Sequence, residues 1–368
     1  RIYAANDAAW LHYGYSGERF VTLKATDLWH EDDRERFARV LPQLAFARPV
    51  GPTRWRHRHS SGVGFDVELH ATSIVVGPEP AWLIIAASVP TKVDGGERNL
   101  KVAALEASFI AAVDRGAIDV AYQPFVAADD GRIVGFEALA RWTDPEHGAI
   151  SPDTFVPLAE ATGSIVTMGR SIMERACGRL RRAIDRTGSE LFVSVNVSVR
   201  QLAEPGFAEE VTEILSEADL SARNLVIEMT ESAYVGGAGP AARNLQALAE
   251  RRVRLAIDDF GTGYSALGYL KRLPVEIIKI DRSFVADIAS DPTDLAITRA
   301  IAAVAAQLGL DVIGEGVETR EQARLLRALG CRYLQGHLFS PPLDSEALDD
   351  RLAVDAQPSR VRRGSKRT

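Results

Sequence analysis

The chain has 368 residues, enough for two or three domains, and its 46% hydrophobic and 25% charged content is that of a globular protein that buries real cores. A net charge of −7 excludes bulk binding to long nucleic acid, whose partners are basic, but not a small anion held through a metal. Two cysteines, Cys177 and Cys331, neither in a C-x-x-C, exclude a zinc ribbon and a redox motif and fit a reducing, cytosolic compartment.

In chain order, residues 1–90 read as a small α+β unit. "RIYAAN" is strand-like, and helical pieces follow to about residue 46. "TRWRHRH", "SSGVG" and "FDVELHATSI" read as strand, glycine turn and strand, and "AWLIIAASV" (81–89) as a last strand. That run is the longest apolar stretch and is too short to cross a bilayer. No signal peptide is visible. The chain opens at Arg1 inside a strand-like segment, so it reads as a piece of a longer protein, and any membrane anchor is expected upstream. "TKVDGGER" (91–98) has the composition of a linker, and apolar residues at helical spacing follow: Leu105, Ala107, Phe109, Ile110 and Val113.

From residue 120 short β-branched runs alternate with longer helical segments, the rhythm of a parallel α/β fold. Eight strands are expected: "VAYQPFV", "RIVGFEALA", "LFVSVNV", "LVIEM", "VRLAID", "VEIIKI", "LDVIG" and "CRYLQG". Eight in such a length match a (β/α)8 barrel of TIM type. Only "AADDG" joins the first two, too short for a parallel crossover. The expectation is therefore a modified barrel with an antiparallel first strand.

Polar residues recur at the strand ends. The second strand carries Glu137, the third ends with Asn196 and the fourth with Glu228. The fifth ends with Asp258 and Asp259, and the sixth carries Lys279 and Asp281. Glu315 follows the seventh, and the eighth reaches Gln335. Period-two alternation puts Ser194 with Asn196, and Lys279 with Asp281, on shared faces. Any one acid alone reads as readily as a helix cap or a solvated turn. Seven strands delivering polar groups to one rim do not, because barrel active sites are built there. Carboxylates and an amide oxygen, without Cys or His, suit Mg²⁺ or Mn²⁺. The number of acids points to two ions, with Asp258 placed to bridge, as in displacement at phosphorus.

These residues lie in "YQP" (122–124), "FEALARW" (136–142), "NVS" (196–198), "EMTES" (228–232), "DDFGTGYSAL" (258–267), "KID" (279–281), "EGVE" (315–318) and "QG" (335–336). In that order they resemble the EAL-domain cyclic di-GMP phosphodiesterases, from about residue 105 to 343. The resemblance implies a barrel with a reversed first strand and hydrolysis of cyclic di-GMP to linear pGpG. It implies Glu137, Asn196, Glu228 and Asp258 as ligands of one metal and Asp258, Asp259 and Glu315 as ligands of a second. Lys279 would position and help deprotonate the attacking water, with Glu137 and Glu315 in the catalytic set. Gln123, Arg141, Asp281, Glu318 and Gln335 would contact substrate or the metal shell, and Glu231 would anchor the loop after the fifth strand. Two departures stand out: Met229 where leucine is usual, and His337 where an aromatic is usual. A homodimer is expected. The alternative is an effector that binds cyclic di-GMP without cleaving it, and a phosphodiesterase for another substrate is a third reading.

The first 90 residues resemble, more loosely, a PAS sensor domain whose first strand is missing or cut short. The match rests on "NDAAWLHYGYSGERF" (6–20), "LWHEDDRERF" (28–37) and "RHRHSSGVGFDVELHATSI" (56–74). No cysteine lies there, which excludes a flavin-adduct photoreceptor. "RERFARVLPQL" lacks the histidine a haem would need, and the ligand is not legible. His12, His30, His57, His59 and His70 read as surface or strand residues. The domains expected are 1–90 (PAS-like), 91–105 (linker and start of a connecting helix), 106–356 (barrel) and 357–368 (a basic, disordered tail).

Overall fold

The structure, a computed structural model, describes residues 104–230, 239–261 and 273–355 with their side chains. Before residue 104 it describes the backbone of 50–60, 64–76, 79–89 and 95–103, side chains at 54–60 and 64–69, and a subset of positions 1–36. Most of the strand expected at 1–6, Glu231, the second half of "DDFGTGYSAL" and the basic tail lie outside the described residues. The chain divides into two compact units, Arg1–Leu105 and Glu106–Thr368.

In the first unit, β1 (Val50–Arg58), β2 (Gly64–Val76) and β3 (Glu79–Val89) form an antiparallel sheet in that order. Alternation puts Trp55 and His57 of β1 on one face. Trp55 packs with Val67 and Leu69 of β2 against Tyr13, Phe20, Leu28 and Trp29. His57 is a strand residue as expected, but it is buried, with the Trp29 ring 4.3 Å away.

Helix α1 (Gly95–Asp114) begins within the segment read as a linker. In the second unit its last turns dock on the barrel: Phe109 meets Trp142 and Phe155 at ring distances of 5.0 and 5.8 Å. The barrel strands are β4 (Asp119–Ala127), β5 (Ile133–Asp144), β7 (Phe192–Asn196), β8 (Leu225–Thr230), β9 (Arg254–Phe260), β10 (Ile277–Ile280), β11 (Asp311–Gly314) and β12 (Tyr333–Leu334). They close in the order β4-β12-β11-β10-β9-β8-β7-β5, with β5 pairing back to β4. β4 is antiparallel to both neighbours, as the short connection requires, and the other pairings are parallel.

β5 runs four residues beyond its expected end. Trp142 is buried there, and β6 (Gly148–Ile150) folds back on it. Asp144 closes that turn by accepting from the backbone N–H groups of Glu146 and His147.

The lower interior is apolar and aromatic: Phe125, Phe192, Val226, Ala256, Ile277, Ile313 and Tyr333 form one cluster. Helices between the strands carry ordinary stop and start chemistry. Ser151 caps Pro152–Thr162, which Gly163 ends at φ 85°, and Asp291 caps Pro292–Leu308, which Gly309 ends at φ 70°. Among the described residues no helix is long and apolar enough to cross a membrane.

Candidate active site

Strand register sets the site. Glu137 on β5 lies opposite Gln123 on β4 and Ser194 on β7, Asn196 lies opposite Glu228 on β8, and Thr230 lies opposite Asp258 on β9. Each inward residue near the C-terminal mouth therefore sits above the aromatic floor at a similar height.

Lys279 is the hub. Its Nζ lies 2.7 Å from Glu228, 2.7 Å from Glu315, 3.1 Å from Asp258 and 3.7 Å from Glu137, with 1% of its side chain exposed. Burial alone would discharge a lysine. Here the surrounding carboxylates outweigh it and hold the ammonium well above its ordinary range.

The acids divide by environment. Burial pushes Glu137 up, but Lys279 and hydrogen bonds from Gln335 and Asn196 overcome it and hold its carboxylate below the usual range. Asn196 Nδ2 donates to Oε1 at 2.7 Å and Gln335 Nε2 to Oε2 at 2.9 Å. Glu228 is fully buried and is pushed well above the usual range. Burial leads, Lys279 opposes it, and repulsion from Glu137, Asp258 and Glu315 adds to it. Glu315 is lifted to about 8, first by burial and then, against Lys279, by Asp258 and Glu137.

Asp258 and Asp259 are neighbours in sequence yet reach one place, because Asp259 takes φ 53°. Aspartate tolerates that left-handed conformation better than most residues. It turns the chain at the end of β9, so that Asp258, Asp259 and Glu315 each bring a carboxylate oxygen within 4.8 Å of the others. Burial, then Asp258 and Asp281, lifts Asp259 to about 6.

The remaining expected residues stand further out. Gln123 is half-buried and donates from Nε2 to the Ser340 carbonyl at 3.1 Å. Arg141 is half-buried on β5, four residues beyond Glu137. Asp281 stands past the end of β10, where it caps Arg282–Ala286 by accepting from Ser283 N–H and stays beside Asp259, which it hydrogen-bonds. Glu318 and His337 are exposed. Sequence reasoning missed Ser340, since a contact through a backbone carbonyl leaves no side-chain signature. Cys177 and Cys331 are free and buried, and burial pushes each thiol up to about 12, away from reactivity.

The chain is similar to known proteins over this same barrel. MucR of Pseudomonas aeruginosa, a bifunctional diguanylate cyclase/cyclic di-GMP phosphodiesterase, is 42% identical over 237 residues, 64% of this chain and 35% of that protein. NbdA of the same organism, a cyclic di-GMP phosphodiesterase, is 42% identical over 245 residues, 66% of this chain and 31% of that protein. The match thus spans about a third of each relative. The solved cyclic di-GMP complex of the PaMucR phosphodiesterase superposes with a TM-score of 0.61 at 42% identity, covering 64% of this chain and 96% of that one. The profile of the EAL domain matches residues 106–342, and the chain belongs to the EAL domain family.

Proposed function

We propose that the barrel hydrolyses cyclic di-GMP to linear pGpG with two bound divalent cations, Mg²⁺ or Mn²⁺. The observation that carries this reading is the convergence of five carboxylates, Glu137, Glu228, Asp258, Asp259 and Glu315, near one buried ammonium at the barrel mouth.

The donor set fits hard cations. It is all oxygen, it carries far more negative than positive charge, and Glu228 Oε1 is buried with no hydrogen-bond partner among the described residues. Glu137, Asn196, Glu228 and Asp258 would hold one ion, and Asp258, Asp259 and Glu315 the other. When bound, such ions supply charge stabilisation and a water acidic enough to attack phosphorus near neutral pH.

The chain's own groups do the rest. Lys279 orients the attacking water. Glu315, whose carboxylate lies 2.7 Å from the Lys279 ammonium, stands beside it in the catalytic set. Asn196 and Gln335 keep Glu137 ionised and fixed in plane. Arg141 offers a planar fork to a phosphate at the rim. Gln123 tethers the segment after β12, while Asp281 and Glu318 border the bases and Glu231 anchors the loop after β9. Residues 1–90 would form a PAS-like regulatory domain, joined by 91–105 to a catalytic domain at 106–356.

Product analysis tests this. The full chain with cyclic di-GMP and Mg²⁺ or Mn²⁺ should yield pGpG. Chelation should abolish the product, and Glu137→Ala should lower its rate at least about 100-fold. Tight nucleotide binding without product under either metal would make the barrel a receptor instead.

A further inference from the structure

Glu137 and Glu228 are the two most enclosed acids of the cluster, and they are held unequally. Glu137 is gripped at both oxygens, by Asn196 and by Gln335. Glu228 is gripped at Oε2 by Lys279, while Oε1 is buried with no hydrogen-bond partner among the described residues. Among the described residues one other such atom lies on the same stretch of inner wall: the hydroxyl of Ser194, fully buried and likewise without a hydrogen-bond partner there.

The placement of Ser194 is informative. On β7 it stands between Phe192, part of the aromatic floor, and Asn196 at the mouth, and alternation turns all three into the barrel. Its register neighbours are Glu137 on β5 and Val226 on β8. The next inward residue on β8 is Glu228. The hydroxyl therefore sits just below the acids, flanked by the strands that carry two of them. An unpaired buried hydroxyl is costly, and alanine would fill the same place without that cost.

We propose that Ser194 is a positioning residue for the metal site: its hydroxyl reaches the Glu228 carboxylate through one ordered water and helps fix the carboxylate that Lys279 holds from the other side. The inference rests on the metal-dependent reading above. Glu228 would then be clamped at both oxygens, as Glu137 is, and would present its remaining lone pair in a fixed direction. Partners that orient metal ligands in this way typically change metal affinity 10–100-fold when removed.

The test is Mn²⁺ titration by calorimetry on the full chain and on Ser194→Ala and Ser194→Cys, with thermal unfolding of each in chelator. Cysteine nearly keeps the volume of serine but hydrogen-bonds poorly, so it separates hydrogen bonding from packing. Both variants should bind Mn²⁺ at least about tenfold more weakly, while each still unfolds cooperatively in chelator, so that the loss is not one of folding. Wild-type affinity in both variants, or weakened binding in the alanine variant alone, would overturn the proposal. A wild-type chain that takes up no Mn²⁺ would be a different result: it would remove the metal reading itself, and this inference with it.

Discussion

A lysine with 1% of its side chain exposed is tolerable only because four carboxylates lie within 4 Å of it. The dependence is mutual. With Lys279→Met the acids lose the only ammonium near them among the described residues, and the metal-free chain should lose about 3–5 kcal/mol of stability near pH 8. The loss should shrink towards pH 5.5. Without the lysine the folded carboxylates hold protons more tightly than unfolded ones do, so acidification neutralises them and favours the folded state. Urea unfolding in chelator at the two pH values checks this, and an equal loss at both would refute it. On the proposed mechanism turnover should fall with the stability, because the same ammonium would orient the water.

At the level of elements, the barrel was legible because its signals are local. β-branched runs set the strands, period-two spacing put Ser194 and Asn196 on one face, and a connection of five residues required the reversed first strand. What escaped depends on contacts distant in sequence. The four extra residues of β5 are explained only by the burial of Trp142 against α1 and by β6 folding back. Asp281 shows both kinds of signal: it lies one residue past the end of β10 and caps the helix that follows, and its side chain still hydrogen-bonds Asp259.

The segments after β11 and β12 show another such contact. Val317 N–H donates to the Gln335 carbonyl, and Leu338 N–H to the Val317 carbonyl, each at 2.9 Å. Gly336 lies between them at φ 156°, where a Cβ would fall 2.2 Å from Val317 N. Gly336→Ala should therefore push the two segments apart and pull Gln335 off Glu137. About 1–3 kcal/mol of stability should go with it, together with a rise of Glu137 towards the ordinary carboxylate range. Denaturant unfolding reads the first effect and carboxylate NMR titration the second; an unmoved Glu137 would show that Gln335 keeps its place without the glycine.

Across the whole molecule the two units should respond to acid in opposite directions. In the metal-free barrel, Glu228, Glu315 and Asp259 all have raised proton affinity, so folding takes up protons and the barrel gains stability as pH falls from about 8 towards the carboxylate range. In the first unit, burial, with Asp33 opposing and His12 adding, lowers His57 from 6.5 to about 4. Its Nδ1 lies 2.5 Å from the Tyr13 hydroxyl, and its Nε2 has no partner that would welcome a proton. Here the unfolded state binds the proton more readily. The stability His57 contributes is complete above pH 6.5 and is lost as pH falls to 4, by about 3 kcal/mol in all. Four of the five tryptophans (Trp10, Trp29, Trp55 and Trp82) lie in the first unit, so fluorescence reports mainly there, whereas far-UV circular dichroism reports mainly the helices around the barrel. Acidification in chelator should therefore move the fluorescence before the ellipticity. His57→Phe, which cannot take up a proton, should shift the fluorescence transition to lower pH and leave the ellipticity where it was. Coincident transitions that the substitution does not separate would mean that the two units unfold as one.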